Sequence, residues 1–181
     1  MGGVNLDWRR SLDTRSEVGL GLQVNGVRFP KKSVEDFDQA YLAVSWQRSF
    51  ERMGVPLVHL AAFATADHAR NSFENGVSGT STRSKNLGGV RSYVQFSMTP
   101  KLQVFNGLGL IYRRDKDAFA RSTGVENGRD RYGEASLGLA WQFRDKCMLR
   151  LQLAYSRNAS NIDIYDFNRR EVSSVIRCEI D

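Results

Sequence analysis

The sequence predicts an all-β chain, an antiparallel up-and-down transmembrane β-barrel of eight or nine strands, whole or partial, occupying residues 1–181 as one domain. Three observations predict it. Apolar residues recur at every second position through most of the chain, connectors between the alternating segments are long and short by turns, and aromatic residues gather at segment ends. Alternation of this kind is the mark of a strand, because successive side chains of an extended chain point to opposite faces.

Taken in order, "NLDWRRSL" near the start reads as a partial strand. "EVGLGLQVN" sets Val18, Leu20, Leu22 and Val24 against Glu17, Gly19, Gly21, Gln23 and Asn25. "QAYLAVSWQRSF" sets Ala40, Leu42, Val44, Trp46, Arg48 and Phe50 against Gln39, Tyr41, Ala43, Ser45, Gln47 and Ser49. "PLVHLAAFATA" is apolar on both faces and is the ambiguous segment. "VRSYVQFSM" opposes Val90, Val94, Phe96 and Met98 to Arg91, Tyr93, Gln95 and Ser97. In "LQVFNGLGLIY", Leu102, Val104, Leu108, Leu110 and Tyr112 oppose Gln103, Phe105, Gly107, Gly109 and Ile111. "ASLGLAWQF" is unbroken from Ala135 to Phe143, "LRLQLAYSR" alternates Leu149, Leu151, Leu153 and Tyr155, and "EVSSVIRCEI" alternates Val172, Ile176, Cys178 and Ile180. Helical spacing fits none of them as well.

Read backwards from the C-terminus, the connectors alternate: "NASNIDIYDFNRR" is long, "RDKC" short, "RRDKDAFARSTGVENGRDR" long, "TPK" short, "DHARNSFENGVSGTSTRSKNLG" long, "ERMG" short, "GVRFPKKSVEDF" long and "LDTRS" short. Tight turns at one end and long polar loops at the other are the layout of outer-membrane barrels, with the C-terminus on the periplasmic, short-turn side. Trp46, Phe50, Phe96, Trp141 and Phe143 lie beside short turns, and Tyr112 and Tyr155 lie toward long loops, as two interfacial belts would require. The polar face is rich in Gly, Ser, Ala and Gln, which suits a wet lumen better than a solvated exterior. A soluble lipocalin-like carrier of a small hydrophobic ligand is the competing architecture, and parity alone does not say which face is inside.

No run approaches the roughly 20 apolar residues of a transmembrane helix. The net charge of +6 is spread over inter-strand segments with acids mixed in, so it reads as a solvated loop surface, and no nucleic-acid partner is expected. "MGGVNLDWRR" lacks a charged segment followed by an apolar run, so no secretory signal is read there, and Leu6 breaks the myristoylation pattern.

The chemistry-bearing residues give no catalytic constellation, no metal set and no cofactor site, so a non-enzymatic protein is expected. His59 falls on a strand as a lumen residue and His68 at a loop mouth, with no cysteine or carboxylate at ligand spacing. Asp67 and His68 are adjacent, so their side chains leave opposite faces. The glycines of "GLGLQ" and "GLGLIY" are not phosphate loops, because no helix follows them. Six charged residues, Arg91, Glu134, Arg150, Glu171, Arg177 and Glu179, fall on the polar face, either as a cross-strand ladder along the lumen or as scattered hydrated charges. Cys147 and Cys178 share the apolar parity near the short-turn end of adjacent strands, and a hairpin centred near Ile162 and Asp163 sets them opposite each other. They form either a cross-strand disulfide or two buried thiols. "NAS" at Asn158 fits a glycosylation acceptor, relevant only to a eukaryotic secreted protein.

The stretch from Arg129 to Ile180 carries a resemblance. Tyr155, Arg157, Asn158, Ser160, Asn161 and Ile162, followed by Tyr165, Asp166, Phe167, Arg170 and Val172, resemble the last two strands of the surface lipoprotein assembly modifier family, outer-membrane barrels that follow tetratricopeptide repeats in Gram-negative bacteria. "TPKLQVFNGLGLIYRRD" is similar to that family's turn-strand pairs in a less specific way. The resemblance implies an outer-membrane location, delivery or surface display of lipoproteins or other secreted polypeptides, and the barrel-assembly machinery as a partner. It also implies that the chain is the C-terminal part of a longer protein with a signal peptide, helical repeats and more strands. The family commonly finishes on Phe, whereas this sequence finishes "CEID". A repeat-plus-barrel porin exporting exopolysaccharide is the nearest alternative, and it predicts an acidic or aromatic sugar track in the lumen.

Overall fold

The structure, a computed structural model, describes residues 2–28, 36–50, 57–69, 84–121 and 124–179. Nine strands follow one another in chain order: β1 (Gly2–Ser11), β2 (Ser16–Val27), β3 (Phe37–Ser49), β4 (Leu57–Ala69), β5 (Lys85–Thr99), β6 (Leu102–Arg121), β7 (Gly124–Arg144), β8 (Cys147–Ser160) and β9 (Phe167–Cys178). They form one antiparallel up-and-down sheet in which every strand pairs with its chain neighbours, leaving β1 and β9 as open edges. No described helix is long and apolar enough to cross a membrane, which says nothing of strands.

Alternation sets the register. Leu22 faces Leu42, Leu42 faces Ala64, Ala62 faces Val90, and Val90 faces Leu110, so the apolar residues of successive strands share one face. Leu137 continues the same face opposite Leu153, and Leu153 opposite Val172. A one-residue slip would send every one of these side chains to the other face, which is why so regular a pattern holds the pairing in place.

The apolar face is the exposed one. Val24 is 60 % exposed, Leu110 65 % and Leu153 56 %, whereas the buried hydrophobics among the described residues are Phe105 and Ile162. Soluble barrels bury their greasy face, and a contiguous apolar surface of this extent marks an interaction with something apolar. The polar face is concave: a single cleft of about 600 Å³ is lined by residues from β3 through β9, which a flat sheet could not do.

Three turns at one end are tight. Leu12–Arg15 joins β1 to β2, Pro100–Lys101 joins β5 to β6, and Asp145–Lys146 joins β7 to β8. In the first, the Asp13 carboxylate accepts from the backbone N–H of Arg15 and of Ser16, each at 2.7 Å. The Arg15 N–H leads in holding the Asp13 carboxyl below the usual carboxylate range. This is the side-chain turn that lets Asp close a chain reversal by itself.

Two connectors expected to be long are shorter. β6 and β7 continue past Arg114 to Arg121 and Gly124, with Ala118 opposite Asn127, so most of "RRDKDAFARSTGVENGRDR" is a protruding ribbon. Its charges read as loop because charged residues are poor strand markers, yet the antiparallel ladder continues past a register shift between Arg114 and Ala118. Between β8 and β9 only Asn161–Asp166 is outside the strands, and Asp163–Tyr165 makes one 3-10 turn. The partial strand at the start is a full one, with Val4, Leu6 and Trp8 on the apolar face opposite Val24, Leu22 and Leu20. "ERMG" and the greater part of "GVRFPKKSVEDF" and "DHARNSFENGVSGTSTRSKNLG" lie outside the described residues.

Candidate functional site

The concave face is ordered in rows by the strand register. At its centre Arg91 of β5 stands opposite Gly109 of β6, and Gly109 opposite Glu134 of β7. Glycine adds no side chain there, so the guanidinium reaches over β6 and its Nε comes within 3.3 Å of Glu134 Oε1. A Cβ built on Gly109 would sit 2.6 Å from that same oxygen. The Glu134 side chain takes the space a side chain at Gly109 would fill, so a larger residue there would have to displace it.

Toward the long-loop end, the next row holds Phe63, Gly89, Ile111 and Tyr132. Toward the short turns, the next row holds His59, Tyr93, Gly107 and Ser136. The ion pair therefore lies between two aromatic rows, about 13 Å apart at the usual strand rise of about 3.3 Å per residue. Gly107 and Gly109 leave room on β6 for side chains of its neighbours: Ser136 lies over Gly107 and Glu134 over Gly109, and Tyr93, Arg91, Tyr132, Glu134 and Ser136 line the cleft.

Aromatic rings settle over glycines of the next strand. Phe63 stands opposite Gly89, and Phe105 opposite Gly138. A Cβ on Gly138 would collide with Cζ and Cε2 of the Phe105 ring and sit 2.7 Å from the Leu151 carbonyl oxygen. Tyr41 stacks on Phe63 and Tyr93 on Phe105, each with ring centroids 6.4 Å apart. Such ring-over-glycine pairs cover the bare backbone of a glycine strand and pin its register. The Tyr132 hydroxyl donates to Glu134 Oε2 at 3.1 Å, which fixes the carboxylate from the side away from Arg91.

Of the six charges expected on the polar face, Arg91, Glu134, Arg150, Glu171 and Arg177 lie on strands at that parity and Glu179 lies just beyond the end of β9; they form no continuous ladder. Arg91 and Glu134 pair as described. Arg150 sits over the Phe105 ring, its Cζ 4.3 Å from the centroid, because its cross-strand neighbour on β7 is Ala140 and the buried ring lies diagonally beside it. Glu171 pairs with Arg169 two residues back on the same face of β9. Arg177 and Glu179 lie at the short-turn end beside Lys146 and Met148, far along the strand from that centre.

At the long-loop end the face is closed by polar contacts. Lys85 Nζ lies 3.7 Å from the buried Asp67, whose other oxygen accepts from Gln39 at 2.9 Å. Arg113 meets Asp130 at 2.7 Å. The connector after β8 folds over this rim: Asn158 donates to the Tyr165 carbonyl at 2.6 Å, the Arg129 N–H donates to Asn161 Oδ1 at 2.7 Å, and Ile162 is 2 % exposed. These are residues of the stretch that carries the family resemblance, and their parts here are structural.

Cys147 and Cys178 are in register and joined by a disulfide, on the apolar face at the short-turn end. His59 lines the cleft, while His68 is exposed and Asp67 buried on the opposite face, as their adjacency requires. Among the described residues no cluster of His, Cys, Asp or Glu is arranged to hold a metal ion. The inner aromatics Tyr41, Phe63, Tyr93, Phe105 and Tyr132 were not singled out by the sequence reading. Their signal is an aromatic on the polar parity whose cross-strand partner is often glycine, visible only once the register is known.

The class defined by this fold is an all-β antiparallel up-and-down sheet with a polar concave face and an exposed apolar one. Comparison with family models, with curated proteins and with solved structures finds no match for the chain.

Proposed function

We propose that this chain forms wall of a non-enzymatic outer-membrane β-barrel in a Gram-negative bacterium, with its apolar face in lipid and its concave face on an aqueous lumen. The observation that carries this reading is the inverted polarity of the sheet: leucines and valines are exposed on one face while Gln, Ser, Tyr and an Arg–Glu pair fill the other. Lipid is the environment in which an exposed belt of that kind is the stable arrangement, and a lipocalin-like carrier would need the opposite. Edge strands β1 and β9 then require partner strands, since unpaired backbone is not tolerated in hydrocarbon.

The cargo part of the proposal rests on the resemblance of the last two strands: passage or surface display of lipoproteins or other secreted polypeptides, after insertion by the barrel-assembly machinery. Export of polysaccharide is a second reading, favoured by the inner-face aromatics of β3 through β7. The test is expression behind an outer-membrane targeting signal, followed by urea washing of the membranes and protease shaving of a co-expressed lipoprotein. The proposal expects the chain to resist extraction and the lipoprotein to become protease-accessible only when the chain is present. Extraction by urea would count against the barrel, and an unchanged shaving pattern against the polypeptide cargo.

A further inference from the structure

We propose that the cleft over the middle of β6 is a binding subsite for a neutral saccharide. The assignment rests on the concave face lining an aqueous lumen and does not depend on which polymer passes through it. The cleft over the middle of β6 holds about 600 Å³, within the range of small-molecule sites, and the Glu134 and Ser136 side chains occupy the space left by Gly109 and Gly107.

Its walls supply two kinds of contact in alternating rows. Tyr93 and Tyr132 line the cleft from opposite sides of β6, one row below and one row above the ion pair. Between them Arg91 presents a planar set of donors and Glu134 a planar set of acceptors, held together at 3.3 Å. A pyranose asks for both: apolar C–H faces that stack on rings, and neighbouring hydroxyls that donate to a carboxylate and accept from a guanidinium. The pair is internally neutral, and neither member is a free charge awaiting an ion. An acidic polymer would place its carboxylates against Glu134, and a basic one its cations against Arg91. An extended peptide is matched less well, because the backbone of β6 is already committed to the β5–β6 and β6–β7 ladders and leaves no edge for strand addition.

The test is isothermal titration of the full chain, folded in a zwitterionic detergent without a sugar headgroup, with maltohexaose. Hexagalacturonate and an uncharged Gly/Ser peptide of similar length are the comparison probes. Saturable binding of maltohexaose is expected, with little dependence on salt. Tyr132→Ala and Tyr93→Ala should each weaken it by about tenfold, while Tyr132→Phe keeps the ring and most of the affinity. Glu134→Gln, which preserves shape, supplies a second reading should an alanine variant not fold. Tighter binding of hexagalacturonate or of the peptide would overturn the proposal, as would alanine variants that bind like the parent. No binding by a chain whose tryptophans are quenched by brominated lipid overturns the saccharide site alone. No binding together with no quenching removes the barrel reading and the site with it.

Discussion

Arg91 and Glu134 meet across a strand to which neither belongs, Nε within 3.3 Å of Oε1, because the residue between them in the ladder is Gly109. Replacing Gly109 with Leu should therefore separate the pair without touching either partner. Both side chains are substantially exposed, at 54 % and 37 %, so the pair contributes no more than about 0.2–1 kcal/mol. A double-mutant cycle of Arg91→Gln and Glu134→Gln, read by urea unfolding in lipid vesicles, should show coupling of that size. Strict additivity of the two would contradict it.

Gly138→Ala should be more damaging than its size suggests, because the added methyl would collide with the edge of the Phe105 ring. Phe105 is 4 % exposed and has little room to give. Overpacking of this kind typically costs about 1–3 kcal/mol, and Phe105→Leu in the same chain should recover part of it. Unfolding midpoints of the two single variants and the double variant check this, and a harmless Gly138→Ala would mean the ring is not seated there.

The disulfide between Cys147 and Cys178 closes a hairpin with a sequence separation of 31 and ties the edge strand β9 to β8. The chain-entropy relation gives about 3–4 kcal/mol for a loop of that length, an upper figure where the unfolded chain retains structure. Intact-mass measurement with and without reductant should differ by two hydrogens. Cys147→Ser with Cys178→Ser should expose β9 to proteolysis before any other strand. Two free thiols in the untreated protein would end the assignment.

The turn at Leu12–Arg15 should weaken in acid. The N–H groups of Arg15 and Ser16 favour the charged Asp13, whose carboxyl titrates below its ordinary value in the folded chain. A lowered folded value makes the contribution fully present above the unfolded carboxylate pKa. It is lost as pH falls through the folded one. A carboxyl NMR titration of Asp13 should show the low midpoint, and Asp13→Asn should remove that part of the pH dependence. A midpoint at or above the ordinary value would contradict it.

Much of the sheet was legible because period-2 alternation is a direct record of strand faces, as in Ala135 to Phe143 and Val18 to Val24. The ribbon beyond Arg114 was not, since its charged residues resemble a loop and only pairing with β7 makes it a strand. Parity placed Arg91, Glu134, Arg150, Glu171 and Arg177 on one face, but partner choice depends on the residue in between. Gly109 lets one pair meet, while Phe105 draws Arg150 away. Hairpin symmetry sets Cys147 opposite Cys178, because the short connector keeps the two strands in simple register, but the choice between a disulfide and two thiols is made only by the structure.

All three tryptophans, Trp8, Trp46 and Trp141, lie on the apolar face toward the short-turn end, opposite Leu20, Val18 and Leu102 respectively. Their fluorescence in vesicles of acyl-brominated lipid tests the central claim with no substitution at all. A lipid-facing wall predicts strong quenching, greater for bromines near the headgroup than near the chain end, as residues at an interfacial belt require. Unquenched tryptophans in a chain that is folded and monodisperse without detergent would contradict the account.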